Sequence, residues 1–227
     1  MRKQMSAGAM RWLGAMACVI AGALMCGGAA NAQAYSSTNP FPPNNEFGVW
    51  GAYSFSNDQA IGKTVDRQVG VIALRYSRTI HDWRTVALLY TLDITPVTVV
   101  RQPTYANCGG AGQYGSYCQT GRETVYGGGI NPVGLKLNFR RTHALQPFLA
   151  SLGGFVASRR PVPVDIPGGT QYNYTFDFQA GVQLFNANRT RAWTFGAKYA
   201  HISNAYRHNF NPGVDFNELF VGYSFFR

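Results

Sequence analysis

The sequence predicts an all-β fold: an eight-stranded antiparallel β-barrel that spans a membrane. Three observations predict it. Apolar and polar residues alternate in eight stretches, the connections between these stretches are alternately short and long, and charged residues make up only 13% of the chain against 14% aromatic. A soluble β-sandwich or a lipocalin-like barrel is the alternative, but its polar faces would point outward and carry more charge.

The clearest strand runs from Tyr172 to Leu184. Its even positions are aromatic or aliphatic and its odd positions are small or polar, as expected of a strand with lipid on one side and a polar interior on the other. The same pattern, less regular, occurs in seven further stretches: Phe47–Phe55, Val69–Ser77, Arg84–Asp93, Val125–Phe139, Phe148–Val156, Trp193–Ser203 and Asp215–Phe226.

The connections divide into two classes. Those after the second, fourth and sixth strands are short: Arg78–Trp83, Arg140–Gln146 and Asn186–Ala192. Those after the odd strands include longer segments: Ser56–Arg67, Thr95–Arg122, Ala157–Gln171 and Asn204–Val214. Short turns at one end and long loops at the other are typical of outer-membrane barrels, in which the short turns are periplasmic. We therefore expect odd strands to run outward and even strands to run back.

Residues 1–34 are expected to be a cleaved signal peptide. Basic residues precede an apolar stretch from Trp12 to Met25, and Ala32-Gln33-Ala34 is a suitable cleavage site. A retained membrane anchor is the alternative, but the apolar stretch is short for a spanning helix. A lead over residues 35–46 and the barrel over 47–227 complete the predicted organisation.

The chain is basic, and its charge favours anionic partners. Without residues 1–34 it keeps 17 of its 20 Lys+Arg against 10 Asp+Glu, a net charge of +7. An outer leaflet of phosphorylated lipid is such a partner. We expect no nucleic-acid partner, because no recognisable nucleic-acid-binding module is present and the export signal separates the protein from nucleic acid.

Two cysteines remain after the signal segment, Cys108 and Cys118, in a glycine-rich stretch. In an oxidising compartment these two are expected to form a disulfide. A metal site would need more ligands than this stretch offers, so the sequence implies no metal and no cofactor.

The candidate catalytic residues lie on the last predicted hairpin. His201 and Ser203 are two residues apart on the seventh strand, so they share a face and their Cα atoms should lie roughly 6.7 Å apart. If the hairpin is symmetric about His208, Asp215 on the eighth strand lies opposite His201, about 4.8 Å away. All three have the parity of the apolar, outward positions. A nucleophile, a base and an acid at the outer-leaflet end suggest a serine esterase.

These residues resemble the PagL-type lipid A 3-O-deacylase family. The matching element is His201-Ile202-Ser203-Asn204-Ala205, followed by an acid fourteen positions after the histidine. The resemblance implies that His201, Ser203 and Asp215 are catalytic and that Asn204 lies by the oxyanion hole. Two positions differ from the family pattern: Asp215 stands in place of a glutamate and Tyr206 in place of a glycine.

The predicted function is therefore hydrolysis of an acyl ester of lipid A, with the 3-O-linked chain and the lipopolysaccharide substrate implied by the resemblance. Arg159 and Arg160, expected in an outer loop, are weaker candidates for phosphate contacts. Two alternatives stay open: a non-enzymatic small barrel, and an outer-membrane phospholipase or palmitoyl transferase. The sequence also leaves open whether a homodimer forms.

Overall fold

The computed structural model describes residues 41–54, 59–107, 117–164 and 169–227 and confirms the predicted all-β fold. Eight antiparallel strands form a closed barrel in which β8 pairs back with β1. The strands are β1 Asn45–Tyr53, β2 Gln68–Asp82, β3 Val86–Asn107, β4 Tyr117–Phe139, β5 Leu145–Val162, β6 Thr170–Phe185, β7 Arg191–Ser203 and β8 Val214–Phe226. The predicted signal segment lies outside the described residues.

Each strand presents one face to the interior and one to the outside. In β6 the aromatic side chains of Tyr174, Phe176 and Phe178 are exposed, whereas Asp177 and Gln179 between them are buried. An apolar exterior around a polar interior is what a strand barrel in lipid requires. Within the described ranges, no helix is long and apolar enough to cross a membrane.

Several strands are longer than the sequence pattern predicted; β2, for example, runs to Asp82, through most of the predicted turn Arg78–Trp83. β3 continues to Asn107 and β4 begins at Tyr117, so much of the predicted loop Thr95–Arg122 is a paired ladder. The hydrogen bonds of an antiparallel pair do not need an apolar face, which is why the ladder continues past the last regular alternation. β5 likewise continues to Val162.

The interior holds an apolar cluster that includes Trp50, Phe148 and Phe220, together with polar side chains that pair across the barrel or between neighbouring strands. Glu46 of β1 pairs with Lys136 of β4 at 2.8 Å, and Arg75 of β2 binds Asp93 of β3 at 2.8 and 2.7 Å. Lys198 of β7 pairs with Glu218 of β8 at 3.2 Å. Charges removed from water are tolerable when paired in this way.

Cys118 lies on β4 and is disulfide-bonded. Its predicted partner, Cys108, is outside the described residues, so the identity of the pair stays a prediction.

Candidate active site

The β7–β8 hairpin places a histidine and an acid directly opposite each other. His201 is the register partner of Asp215. The inward positions of the same strands hold Lys198, Glu218 and Phe216, so His201 and Asp215 belong to the outward face. The connection over residues 204–213 ends at Gly213, whose φ of 51° is in the region that favours glycine.

The two side chains form a short hydrogen bond. His201 Nδ1 and Asp215 Oδ1 are 2.6 Å apart, and the side chains are 13% and 0% exposed. A carboxylate at Nδ1 selects the tautomer in which the other ring nitrogen, Nε2, can accept a proton. Tyr199, two residues before His201 on the same face, also interacts with this carboxylate.

Ser203 follows on the same face of β7, two residues after His201. It is half-buried, and its register partner on β6 is Tyr174. Among the described residues, the Ser203 hydroxyl forms no hydrogen bond with His201. Nucleophile–base contacts are often open in the absence of substrate and close when the substrate binds.

The loop between β1 and β2 covers Asp215, a feature that the sequence analysis did not predict. The backbone N–H groups of Ile61 and Gly62 donate to Asp215 Oδ2 at 2.7 and 2.8 Å. This contact joins segments more than 150 residues apart, and nothing in the local pattern of either segment indicates it. It explains why an outward-facing carboxylate is fully buried.

Asn204 organises the turn that follows Ser203. Its side-chain amide donates to the carbonyl of Phe210 at 2.9 Å, and its Oδ1 accepts from the N–H of Tyr206 at 2.8 Å. In this conformation the predicted oxyanion residue therefore holds the 204–213 connection together.

The predicted phosphate contacts, Arg159 and Arg160, lie elsewhere. Both are exposed at the outer end of β5, on a strand and not in the loop where the sequence analysis expected them. Arg160 pairs with Glu123 of β4 at 3.0 Å. The strand extension of β5 carries both residues past the region where regular alternation ends.

Arg207, which the sequence reasoning missed, is a basic residue beside the register partner of Ser203. Its guanidinium lies 5.4 Å from the ring centroid of Tyr174, the register partner of Ser203, and donates to the carbonyl of Tyr172 at 2.5 Å. A cation stacked on an aromatic ring keeps further N–H groups for an anion.

The described residues contain no group of three or more His, Cys, Asp or Glu side chains that could hold a metal ion. His201, Asp215 and Ser203 are residue types that acid–base and nucleophilic chemistry uses.

A family model described as lipid A 3-O-deacylase (PagL) matches residues 91–224, more than half of the chain. The chain belongs to this family. The matched range contains His201, Ser203, Asn204 and Asp215. Membership makes the protein an outer-membrane lipid A deacylase, a hydrolase that acts on an ester, and it confirms the family that the motif predicted.

Solved structures with the same fold include the outer-membrane enzyme PagL. That structure is 17% identical, covers 78% of this chain and 97% of its own, and superposes with a TM-score of 0.52. Neisserial surface protein A is 12% identical over 80% of this chain and 96% of its own, with a TM-score of 0.43. OprG from Pseudomonas aeruginosa is 10% identical over 82% and 97%, with a TM-score of 0.45. No curated protein matches the sequence significantly.

Proposed function

We propose that this deacylase hydrolyses the 3-O-linked acyl ester of lipid A with a Ser203-His201-Asp215 triad on the lipid-facing exterior of the barrel. One observation carries the proposal: the 2.6 Å hydrogen bond between His201 Nδ1 and Asp215 Oδ1 lies on the outward face that also holds Ser203. This bond leaves Nε2 as the only ring nitrogen that can serve as the base.

The proposed reaction has two stages. His201 Nε2 takes the proton of Ser203 as the hydroxyl oxygen attacks the ester carbonyl, and the imidazolium returns that proton to the departing sugar oxygen. Water, deprotonated by the same nitrogen, then releases the fatty acid and restores the serine. Asp215 keeps the ring in the correct tautomer and stabilises its cation.

The oxyanion is proposed to form at the turn that begins with Asn204. Donors aimed at this oxygen commonly contribute about 3 kcal/mol to the transition state. In the structure the Asn204 amide binds the carbonyl of Phe210, so a direct contact with the oxyanion requires this loop bond to lengthen when substrate enters.

An apolar groove next to the hairpin supports a substrate that stays in the leaflet. A cavity of about 600 Å³ opens on the exterior where Gly51 and Gly70 lack side chains. Its walls include Tyr53, Leu219 and Val221, and Leu219 is four residues along β8 from Asp215. An acyl chain lying in this groove would contact β8 of the hairpin from the lipid side, without entering the barrel.

The test is the lipid A mass profile of cells that express single variants. Ser203→Ala and His201→Ala should each abolish the loss of the 3-O-linked chain, because each removes a reacting group. Ser151→Ala, another outward-facing serine, and His143→Ala in a turn are the matched controls and should leave the profile of the active enzyme unchanged.

Folding is checked by the heat-modifiable gel shift of the barrel, and tandem mass spectrometry locates the lost chain. Wild-type activity in either the Ser203 or the His201 variant would refute the triad. Loss of a chain from another position would refute the 3-O assignment, and an unchanged profile with the wild type would favour a binding barrel.

A further inference from the structure

Four consecutive residues of the β1–β2 loop bind Asp215 of β8 and the last two residues of the connection before it, Pro212 and Gly213. The N–H of Lys63 donates to the carbonyls of Pro212 and Gly213 at 2.8 and 3.2 Å. The hydroxyl of Thr64 donates to the same Gly213 carbonyl at 2.9 Å. Ile61 and Gly62 direct their N–H groups at the acid itself. The segment Ile61–Thr64 is called the acid clamp below.

Because of the acid clamp, the two oxygens of the Asp215 carboxylate have different hydrogen-bond partners. Oδ1 binds His201, and Oδ2 accepts the two backbone N–H groups of the clamp at 2.7 and 2.8 Å. Hydrogen bonds to an ionised acceptor are about twice as strong as neutral ones. With Oδ2 held from the loop side, the carboxylate cannot rotate away from the imidazole.

The contact is close enough to require glycine on both sides. A Cβ at Gly62 would lie 2.9 Å from the carbonyl oxygen of Gly213 and 3.0 Å from Asp215 Oδ1. A Cβ at Gly213 would lie 3.0 Å from Cε1 of His201. The clamp backbone therefore packs against both the acid and the region beside the histidine ring, with no space for a side chain.

We infer that the acid clamp is a positioning element of the catalytic site. It comes from the β1–β2 loop, about 150 residues before Asp215 in the sequence. The inference rests on the proposed function, since it gives the clamp its role through Asp215. Aspartate suits this arrangement because it stands directly opposite His201 in register. A longer acid would need the space that Gly62 occupies.

The decisive variant is Gly62→Ala, which pushes the clamp off the carboxylate. Loss of hydrogen bonds to a charged group should lower kcat by about tenfold or more while KM stays nearly constant. Val65→Ala, in the same loop but outside the clamp, is the matched control and should keep wild-type kcat. Thr64→Val removes one clamp hydrogen bond without adding bulk and should lower kcat in the same direction by a smaller factor.

A double-mutant cycle separates positioning from general damage to the fold. The sensitive readout is the rate at which a fluorophosphonate probe labels Ser203. If the clamp acts through the acid, Gly62→Ala should change this rate by less than about twofold when Asp215→Ala is already present. An equal loss in both backgrounds, or a Gly62→Ala enzyme as active as Val65→Ala, would overturn the inference.

A second measurement does not depend on catalysis. The Nδ1 proton of His201, followed by NMR in detergent micelles, should shift in Gly62→Ala and not in Val65→Ala. If Ser203→Ala kept full activity, the proposed function would fail, while this proton would still decide whether the clamp sets the His201–Asp215 geometry. An unchanged proton in Gly62→Ala would overturn the clamp.

Discussion

The turn after Ser203 holds two residues with side chains in the left-handed region of the backbone map. Ala205 has a φ of 51° and Tyr206 a φ of 60°. Tyr206 was noted above as a departure from the family's glycine, and its φ lies in the region that favours glycine. The bond from the Tyr206 N–H to Asn204 Oδ1 holds this conformation, at a cost of about 1 kcal/mol or more.

Tyr206→Gly should therefore stabilise the barrel. We expect the free energy of unfolding to rise by about 0.5–1 kcal/mol, because relief of the strain exceeds the entropy that glycine adds to the unfolded chain. Urea titration of the protein in lipid vesicles, followed by tryptophan fluorescence, measures this change. His208→Gly, in the same connection but without a positive φ, should lower the free energy of unfolding, and equal changes in the two variants would contradict the explanation.

The sequence could locate part of the candidate site but not all of it. Parity placed His201 and Ser203 on one face, and symmetry about His208 placed Asp215 opposite His201, because strand geometry is local and regular. Ile61 and Gly62 could not be predicted, since their only signal is a contact with a residue 154 and 153 positions away. Asn204 and Arg160 were named, but their observed partners were not.

At the scale of the strands, the regular alternation in β6 predicted both its position and its faces, because lipid and a polar interior impose it. The outer parts of β3 and β4 could not be recognised in this way. In β3, Pro96 interrupts the alternation just past the predicted end of the strand, and the β3–β4 pairing has a register shift there, between Thr95 and Thr98. Beyond these positions the pairing continues without a two-residue pattern, because the backbone hydrogen bonds of the ladder do not require one.

A charged substitution on the outward face of β8 should be more destabilising the closer it lies to the middle of the membrane. Val221→Arg, in the middle of β8, should lower the free energy of unfolding by about 2–4 kcal/mol because the guanidinium would face the hydrocarbon. Tyr172→Arg, near the outer end of β6 and 65% exposed, is the matched control and should cost at most about 1 kcal/mol. Urea titrations in vesicles compare the two, and similar costs would contradict the assigned membrane position.

At the scale of the whole molecule, one carboxylate links four strands of the barrel. Glu46 of β1 binds Lys136 of β4, Gln183 of β6 and Ser224 of β8, each at 2.8 Å. Glu46 and Lys136 are 1% and 0% exposed. These contacts hold β1 at a fixed distance from β4 and β6 inside the barrel.

Glu46→Ala should be severely destabilising. It leaves the Lys136 ammonium buried without its counter-charge, and removing one partner of such a pair typically costs about 3–5 kcal/mol. Glu123→Ala removes a glutamate from an ion pair with Arg160, which is 62% exposed, and should cost about 1 kcal/mol or less. The difference between the two midpoints in urea tests the prediction, and equal losses would show that the interior network does not hold the barrel together.

β3 and β4 project further from the barrel than the other strands, and this affects which part of the protein is met first from outside the cell. β3 and β4 have 22 and 23 residues, and the inner end of each adjoins a short turn. At about 3.4 Å per residue and a tilt of about 40°, they extend roughly 30 Å beyond an apolar band of about 25 Å. We expect antibodies and phages approaching the bacterium to meet this hairpin first, and the His201–Asp215 pair to lie closer to the lipid. Immune pressure would therefore fall on the projecting hairpin, and variation there could accumulate without altering the enzyme.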